Sequence, residues 1–429
     1  MRVRNADSTV RESMLRAHIH TLGAYRGRLR DASRDVGYTT PAAALAAPFD
    51  TQHINEARAI AGTFGPTVRT VILVGIGGSD LGTRAVYDAL QGYAERKLGV
   101  TEKQLICFDT VEPATLSRCT ELFETHASPE ELVLVVISKS GGTVETMTNA
   151  SVLFEALEKK FGHESAVRRT LYIGDNNERF QSITSQGVRC VSIPSAIGGR
   201  YSVFTMVGLV PLALLGIDVE AFCEGAQRAI RVSCGEGGPA EVLAAQLFES
   251  YTTGYTIHEL VLFHPELETM GKWYRQLLAE SLGKERGDAT RVGIMPSIFV
   301  GSTDLHSMGQ LVFGGPKNRF TTFVASPSAW TITQALPTSS PFMLPMIERK
   351  NPGDVIRAIY EGVQVAYRKN NLPFCITEVE TISPRELGAW MALHMAVVLY
   401  TAELLGVNAF DQPAVEEYKN ETRRILAGA

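Results

Sequence analysis

The chain has 429 residues, of which 45% are hydrophobic and 20% charged, and its formal net charge is −5 at pH 7. This composition is typical of a globular protein with about two or three domains and excludes a disordered or fibrous chain. The slight negative charge excludes a whole-protein attraction to nucleic acid or to an acidic membrane surface.

Cysteine usage and the N-terminal sequence predict a cytoplasmic protein. The six cysteines are scattered and form no CxxC pair, so we expect reduced thiols rather than a disulfide framework. The first residues lack the apolar core of a secretion signal. The longest apolar stretch, 206–217, is too short to span a bilayer and contains Pro211, so we expect no membrane segment.

Short apolar runs alternate with helical stretches over most of the chain. Residues 1–48 are charged and then Ala-rich, which predicts a helical lead-in. Two series of apolar runs follow, typical of strands buried on both faces of parallel sheets. The first series lies at 68–75, 132–137, 169–174 and 188–193, and the second at 256–263, 291–300 and 321–325. We therefore predict an α/β fold with two domains, at 49–220 and 221–400, followed by a turn and helix at 401–429.

A Gly-rich turn follows the first strand. Its sequence, Gly75-Ile-Gly-Gly-Ser-Asp-Leu-Gly82, opens a helix whose N-terminal amides suit an anion. The dinucleotide fingerprint needs a third glycine where Asp80 stands, and a Walker loop needs Gly-Lys-Ser/Thr where Thr83-Arg84 stands. Both an anion site and a tight structural turn are consistent with this loop.

A second loop, Ser138-Lys-Ser-Gly-Gly-Thr143, concentrates phosphate-binding groups between a strand and a helix. Its hydroxyls, ammonium group and glycines at a helix N-terminus predict a cradle for an anion. Because no nucleotide motif accompanies the loop, a small monophosphate is the favoured ligand. The alternative is an N-capped helix with a solvated lysine.

Several polar residues are candidates for acid–base chemistry. Arg200 follows two glycines, which let a ligand approach its guanidinium, but a surface salt bridge explains it more simply. Gln276 and Glu280 share one helical face, where a partly buried glutamate suits a carbon base and a solvated face is the alternative. His306 follows an apolar run and suits either an acid–base or a structural role.

Other classes of site find no support in the sequence. It contains no HExxH, no paired acidic metal motif and no Cys/His set with metal-ligand spacing. It also lacks the GxSxG elbow of a serine hydrolase and the basic-aromatic pattern of an RNA-binding module. Gln412 and Lys419, near the C-terminus, indicate no chemistry by themselves.

In chain order, six segments resemble the motifs of glucose-6-phosphate isomerases (phosphoglucose isomerases) of the shorter bacterial type. They are Gly-Ile-Gly-Gly-Ser-Asp-Leu-Gly at 75–82, Ser-Lys-Ser-Gly-Gly-Thr at 138–143, Gly-Gly-Arg-Tyr-Ser at 198–202, Gln-Leu-Leu-Ala-Glu-Ser at 276–281, Ser-Thr-Asp-Leu-His-Ser-Met-Gly-Gln at 302–310, and Gly-Val-Asn-Ala-Phe-Asp-Gln-Pro-Ala-Val-Glu-Glu-Tyr-Lys at 406–419. Any one of these motifs could arise by chance, whereas the whole series in one order could not.

The resemblance implies two sugar-isomerase (SIS) domains, each a three-layer α/β/α sandwich with a mainly parallel sheet, in a homodimer with active sites at the subunit interface. It implies that Glu280 is the catalytic base, that Arg200 stabilises an enediolate, and that Lys419 and a His306 supplied by the neighbouring subunit open the sugar ring. The implied substrate contacts are Gly78, Ser79, Ser138, Lys139, Ser140, Thr143, Gln276 and Gln412.

The implied reaction interconverts glucose 6-phosphate and fructose 6-phosphate, in glycolysis and gluconeogenesis, through a cis-enediol and without a metal or organic cofactor. Gly141-Gly142 replaces the Thr or Phe-Thr of many family members, so we expect a looser phosphate loop. One alternative is an isomerase that also takes mannose 6-phosphate. The other is a non-catalytic sugar-phosphate-binding regulator, which the presence of both Glu280 and His306 disfavours.

Overall fold

The computed structural model describes residues 2–5, 7–8, 10–99, 101–331, 335–337 and 340–428. Within these residues the strands form two five-stranded sheets and a two-stranded ribbon. The strands are β1 (Arg2–Arg4), β2 (Thr70–Val74), β3 (Gln104–Phe108), β4 (Leu132–Ile137), β5 (Thr170–Gly174), β6 (Arg189–Ser192), β7 (Ile257–Leu262), β8 (Lys284–Glu285), β9 (Arg291–Val292), β10 (Met295–Val300), β11 (Arg319–Ala325) and β12 (Phe374–Glu378).

Helices connect these strands. They are α1 (Glu12–Thr21), α2 (Gly23–Ala32), α3 (Thr51–Gly62), α4 (Leu81–Tyr87), α5 (Tyr93–Leu98), α6 (Pro113–Glu124), α7 (Val144–Phe161), α8 (His163–Arg168), α9 (Glu178–Ser185), α10 (Met206–Leu214), α11 (Val219–Ser233), α12 (Pro239–Thr252), α13 (Glu268–Leu282), α14 (Gly309–Gly314), α15 (Pro352–Lys369), α16 (Pro384–Leu405) and α17 (Glu416–Leu426). A π-helical turn, Asp88–Gly92, joins α4 to α5.

The two five-stranded sheets share the order of four parallel strands and differ in the fifth. The first runs β3-β2-β4-β5-β6 and is parallel throughout. The second runs β10-β7-β11-β12-β1, and only β1 is antiparallel, with Arg2 opposite Glu378. The predicted α/β fold with two mainly parallel sheets is confirmed, and the proposed domain boundaries stay a prediction.

Apolar side chains cover both faces of each sheet. In β2, Val71 and Leu73 enter a large central core, whereas Ile72 and Val74 enter a second cluster on the opposite face. Successive strand residues point to opposite faces, so a continuous apolar run is what burial on both sides requires. Each such side chain contributes about 1.5–3 kcal/mol when fully buried.

One helix, α16, is long and apolar enough to cross a membrane by length and composition. Its most apolar window is 89% buried inside the protein, where it packs against α11, α12 and α13. A helix enclosed by protein is hydrophobic all round, and this position accounts for its composition.

Strands at the sheet edges differ from the sequence expectation. The predicted helical lead-in also contains β1, a short charged edge strand. The first sheet ends in β3, which the sequence analysis missed although residues 105–108 form a short apolar run; its residues are mostly half-buried. The apolar segment 291–300 divides into β9 of the ribbon and β10 of the second sheet. The edge strands β6 and β10 lie within predicted segments, whereas β12, an inner strand that is almost entirely buried, was not predicted.

The carboxyl ends of β2 and β4 lie side by side in the first sheet. The chain leaves β2 towards β3 on one side and leaves β4 towards β5 on the other side. Open α/β sheets form binding crevices at such a point, between the two strand ends. The Gly-rich turn and the 138–143 loop begin at these two strand ends. Helix α13, which follows β7 of the second sheet, packs against α4 and brings its C-terminal half to the same place.

Candidate active site

A cavity of about 540 Å³ opens where these elements meet. The Gly-rich turn, the 138–143 loop, α13 and α17 contribute to its walls. Seven of the twelve site residues expected from the sequence line this one cavity. They are Ser140, Thr143, Arg200, Gln276, Glu280, Gln412 and Lys419.

Arg200 is the centre of the hydrogen-bond network in this cavity. It lies on a short 3-10 turn and is 3% exposed. Its Nε donates to Ser281 Oγ at 2.9 Å, its Nη1 donates to Gln412 Oε1 at 2.8 Å, and its Nη2 donates to the carbonyl of Ala409 at 2.6 Å. A planar guanidinium with fixed donor directions suits such a crowded position. The expected surface salt bridge is therefore wrong for Arg200, which is buried.

Glu280 projects from α13 towards Arg200. Its Oε2 accepts from Arg200 Nη1 at 3.2 Å, and its Oε1 accepts from Gln276 Nε2 at 3.1 Å. Its side chain is 37% exposed, so one side of the carboxylate is open to the cavity. Two donors fix the orientation of a carboxylate that remains accessible to a ligand.

Hydrogen bonds from β5 and from the N-cap residue of α9 hold the 138–143 loop in place. Ser138 Oγ donates to Thr143 Oγ1 at 3.3 Å across the loop. The Tyr172 hydroxyl donates to the Ser138 carbonyl at 2.7 Å, and Asn177 Nδ2 donates to the Ser140 carbonyl at 3.2 Å. These contacts leave the side chains of Ser140 and Thr143 on the cavity wall.

Gly141 has a conformation that requires glycine. Its φ is +66°, and a Cβ there would lie 2.5 Å from Arg179 Cγ. A side chain at this position would meet both backbone strain and a close neighbour. The expected looseness of the loop stays a prediction.

Lys139 points away from the cavity. Its Nζ donates to the carbonyls of Ser195 and Ile197 at 2.5 and 3.0 Å, and burial lowers the pKa of this ammonium group. The lysine thus ties the 138–143 loop to the segment that leads into Arg200. It is not among the residues that line the cavity.

The Gly-rich turn packs directly on the Arg200 turn. A Cβ on Gly78 would lie 2.1 Å from the carbonyl carbon of Gly199, and a Cβ on Gly77 would lie 2.7 Å from Gln276 Nε2. The glycines therefore permit a close backbone approach, as the tight structural turn among the two alternatives requires. Gly78 and Ser79 do not line the cavity, whereas Ile76 and Gly77 of the same turn do.

Comparison with known proteins assigns the chain to a family. A family model described as phosphoglucose isomerase matches residues 50–329. A glucose-6-phosphate isomerase of Symbiobacterium thermophilum is 30% identical over 97% of this chain and 95% of its own length. Another, from Shouchella clausii, is 33% identical over 83% of this chain and 79% of its own length. The chain belongs to the phosphoglucose isomerase family.

Solved structures agree with this phosphoglucose isomerase fold. A hypothetical protein from Thermus thermophilus has a TM-score of 0.86 and 27% identity over 99% of both chains. A glucose-6-phosphate isomerase from Chlamydia trachomatis has a TM-score of 0.80 and 19% identity over 99% of this chain and 88% of the other, which shows a common fold. The predicted family, fold class and enzyme class, an aldose–ketose isomerase, are confirmed.

In this phosphoglucose isomerase family member, His306 lies apart from the cavity of its own chain. It is exposed at the end of a short 3-10 turn, Thr303–His306, that follows β10. It does not line the cavity that contains Glu280. Among the residues that the structure describes, no group of three His, Cys, Asp or Glu side chains could hold a metal ion.

The sequence analysis missed two kinds of residue. One is the rest of the α17 face, because Tyr418, Thr422 and Arg423 line the cavity beside Lys419. The helical spacing of 418, 419, 422 and 423 was the signal that could have found them. The other is Asp80, which is 0% exposed and has no hydrogen-bond partner for either carboxylate oxygen among the described residues.

We expect Asp80→Asn to remove a pH dependence of stability. Burial, with a smaller contribution from Asp109, raises the pKa of Asp80 from 3.8 to about 7. Folding therefore disfavours its ionised form, and the free energy of unfolding of the wild type falls as pH rises from 3.8 to about 7. The stability advantage of Asp80→Asn grows over this window to at most about 4 kcal/mol and then stays constant.

Urea unfolding at about pH 5 and about pH 8 measures this difference. The exposed Asp31→Asn is the control, since it makes the same chemical change on the surface of α2. An Asp80→Asn difference that is equal at the two pH values contradicts the prediction.

Proposed function

We propose that this chain catalyses the reversible isomerisation of glucose 6-phosphate and fructose 6-phosphate. The observation that carries the proposal is the position of Glu280, whose carboxylate lies between Arg200 and Gln276 on the wall of a cavity that also includes the 138–143 loop. The cavity thus offers a base and a cation for the reacting carbons and an anion-binding loop for the phosphate.

Glu280 transfers the proton between the two reacting carbons. In the aldose-to-ketose direction it takes the proton from C2, the C1 carbonyl becomes an enediolate with its charge on O1, and the O2 proton moves to O1. Glu280 then returns its proton to C1 as the C2 carbonyl forms. Arg200 stabilises the negative charge on the enediolate oxygen, a role that its preorganised donors suit.

Ring opening precedes this step and needs one proton given to the ring oxygen and one taken from the O1 hydroxyl. We assign these transfers to His306 and Lys419. Lys419 Nζ donates to Glu416 Oε1 at 2.7 Å, one turn earlier on α17. Ser138, Ser140 and Thr143 bind the phosphate, and this remote binding energy holds the reacting carbons at Glu280.

A coupled assay tests the proposal. Purified protein receives fructose 6-phosphate in the presence of EDTA, and NADPH formation is followed through added glucose-6-phosphate dehydrogenase. The expected result is turnover that the chelator does not reduce. No turnover, with inorganic phosphate still bound, favours the sugar-phosphate-binding regulator instead. A second assay, with mannose 6-phosphate as substrate, decides whether the enzyme has dual specificity.

The proposal places the enzyme in glycolysis and gluconeogenesis in the cytoplasm, as a homodimer. His306 of the partner subunit would complete each site. This arrangement is supported by the exposure of His306 and by its absence from the cavity of its own chain. Two-fold dimers bring the same surface of each subunit together, so each subunit could complete the site of the other.

Subunit mixing tests the position of His306. We expect His306→Gln and Glu280→Gln homodimers to be nearly inactive, and the mixture to regain about one quarter of wild-type activity after random reassembly. A mixed dimer has one doubly altered site and one intact site only if His306 acts across the interface. If His306 acts within its own subunit, mixing restores nothing. Wild-type protein taken through the same reassembly is the control.

A further inference from the structure

The ionised residues on the cavity wall form two ion pairs and leave two residues outside them. Arg200 pairs with Glu280 at 3.2 Å, and Lys419 pairs with Glu416 at 2.7 Å. The remaining charged residues of the lining are Glu145 and Arg423. Among the described residues neither forms an ion pair.

Arg423 and Glu145 reach the cavity from different helices. Glu145 is in the first turn of α7, next to the 138–143 loop. Arg423 is on α17, one turn after Lys419 and on the same face. Its Nη1 donates to the neutral amide oxygen of Asn420 at 2.9 Å, and its only electrostatic interaction with an acidic group of the lining is a weaker one with Glu416, which pairs with Lys419.

The 138–143 loop provides no side-chain cation for a phosphate bound there. Lys139 is the only ammonium group of the loop, and its Nζ donates to the carbonyls of Ser195 and Ile197 instead. The bound phosphate would also lie near the carboxylate of Glu145. Hydroxyls and a helix N-terminus alone would leave much of the charge of a phosphate dianion uncompensated.

We infer that Arg423 binds the phosphate of the sugar phosphate from the α17 wall of the cavity that it shares with the 138–143 loop. A guanidinium can form two parallel hydrogen bonds to a phosphate, and Arg423 is the cation of the lining that forms no ion pair among the described residues. Arg423 is then a substrate-binding residue that sets phosphate affinity. The inference rests on the proposed function, because it takes the ligand to be a sugar phosphate.

Arg423→Gln and Arg424→Gln form a matched pair for the test. Both remove one positive charge from adjacent positions of α17, but Arg424 pairs with Glu421 and does not line the cavity. We expect Arg423→Gln to raise the KM for fructose 6-phosphate and the Kd for inorganic phosphate by about five- to tenfold, with kcat changed less than about twofold. Arg424→Gln changes neither constant, and Arg423→Lys recovers part of the affinity.

Calorimetry with inorganic phosphate separates this inference from the proposed function. Turnover with normal phosphate binding by Arg423→Gln overturns the inference and leaves the isomerase intact. Equal losses in Arg423→Gln and Arg424→Gln also overturn it, since the effect is then one of general charge. If the wild type binds phosphate, Arg423→Gln weakens that binding, and no protein turns over fructose 6-phosphate, the proposed function fails and the phosphate contact stands.

Discussion

Glu280→Gln is expected to lower kcat for fructose 6-phosphate by about 10²–10⁴-fold, the range that a general base contributes. We expect KM and the Kd for inorganic phosphate to change by less than about threefold, because the 138–143 loop is untouched. The amide of the variant has nearly the shape of the carboxylate, but it cannot accept the C2 proton. A coupled assay gives kcat and KM, and calorimetry gives the phosphate affinity.

The variant also replaces one acceptor oxygen with a donor. Glu280 accepts from both Arg200 and Gln276, and a glutamine keeps only one of these hydrogen bonds. Because Glu280 is partly exposed, the cost in stability is about 1 kcal/mol. Glu268→Gln, at the exposed start of the same helix, is the matched control. Loss of phosphate binding together with turnover would make Glu280 a structural residue rather than the base.

The fold was predictable where burial leaves a pattern in the sequence. The central strands β2 and β4 are covered on both faces and therefore form continuous apolar runs. The edge strand β1 is short and charged, and β3 has an apolar run of only four residues, 105–108, most of them half-buried. β1 also pairs with β12 of the second sheet, which lies far along the chain, and no local signal specifies that pairing.

Single residues of the site were harder to predict than its loops. The 138–143 loop has the composition of an anion site, but the direction of Lys139 depends on carbonyls more than fifty residues away. Arg200 alone resembles a surface residue, and its burial results from packing against α13 and the segment 409–412. Asp80 stands where the dinucleotide fingerprint would have a glycine. Its burial results from the tertiary fold, and no local pattern in the sequence indicates it.

Arg200→Gln is expected to reduce both stability and turnover. Removing the buried guanidinium leaves its acceptors without a donor, which costs about 1–3 kcal/mol of unfolding free energy for each buried acceptor that no other group satisfies. The partners that lose a donor are Ser281, Glu280, Gln412 and the carbonyls of Ala409 and Asp411. Loss of the charge that faces the enediolate lowers kcat by about 10²–10³-fold in addition.

A second measurement on Arg200→Gln, hydrogen exchange, concerns the segment that Arg200 holds in place. Lys284 also binds Asp411, through its carboxylate at 2.9 Å and through its backbone carbonyl, so Arg200 and Lys284 are two anchors of one segment that leads into α17. We expect hydrogen exchange over 406–426 to become faster in Arg200→Gln, and also in Arg200→Lys, because an ammonium group cannot reproduce the directions of the guanidinium donors.

Arg291→Gln is the control. It removes an 87% exposed arginine from a surface pair and leaves exchange unchanged. If exchange over 406–426 is normal in Arg200→Gln while kcat falls, Arg200 acts only on the substrate and Lys284 suffices to anchor the segment. If exchange quickens and Arg200→Lys keeps most of kcat, Arg200 contributes to catalysis mainly by its charge and to structure by its geometry.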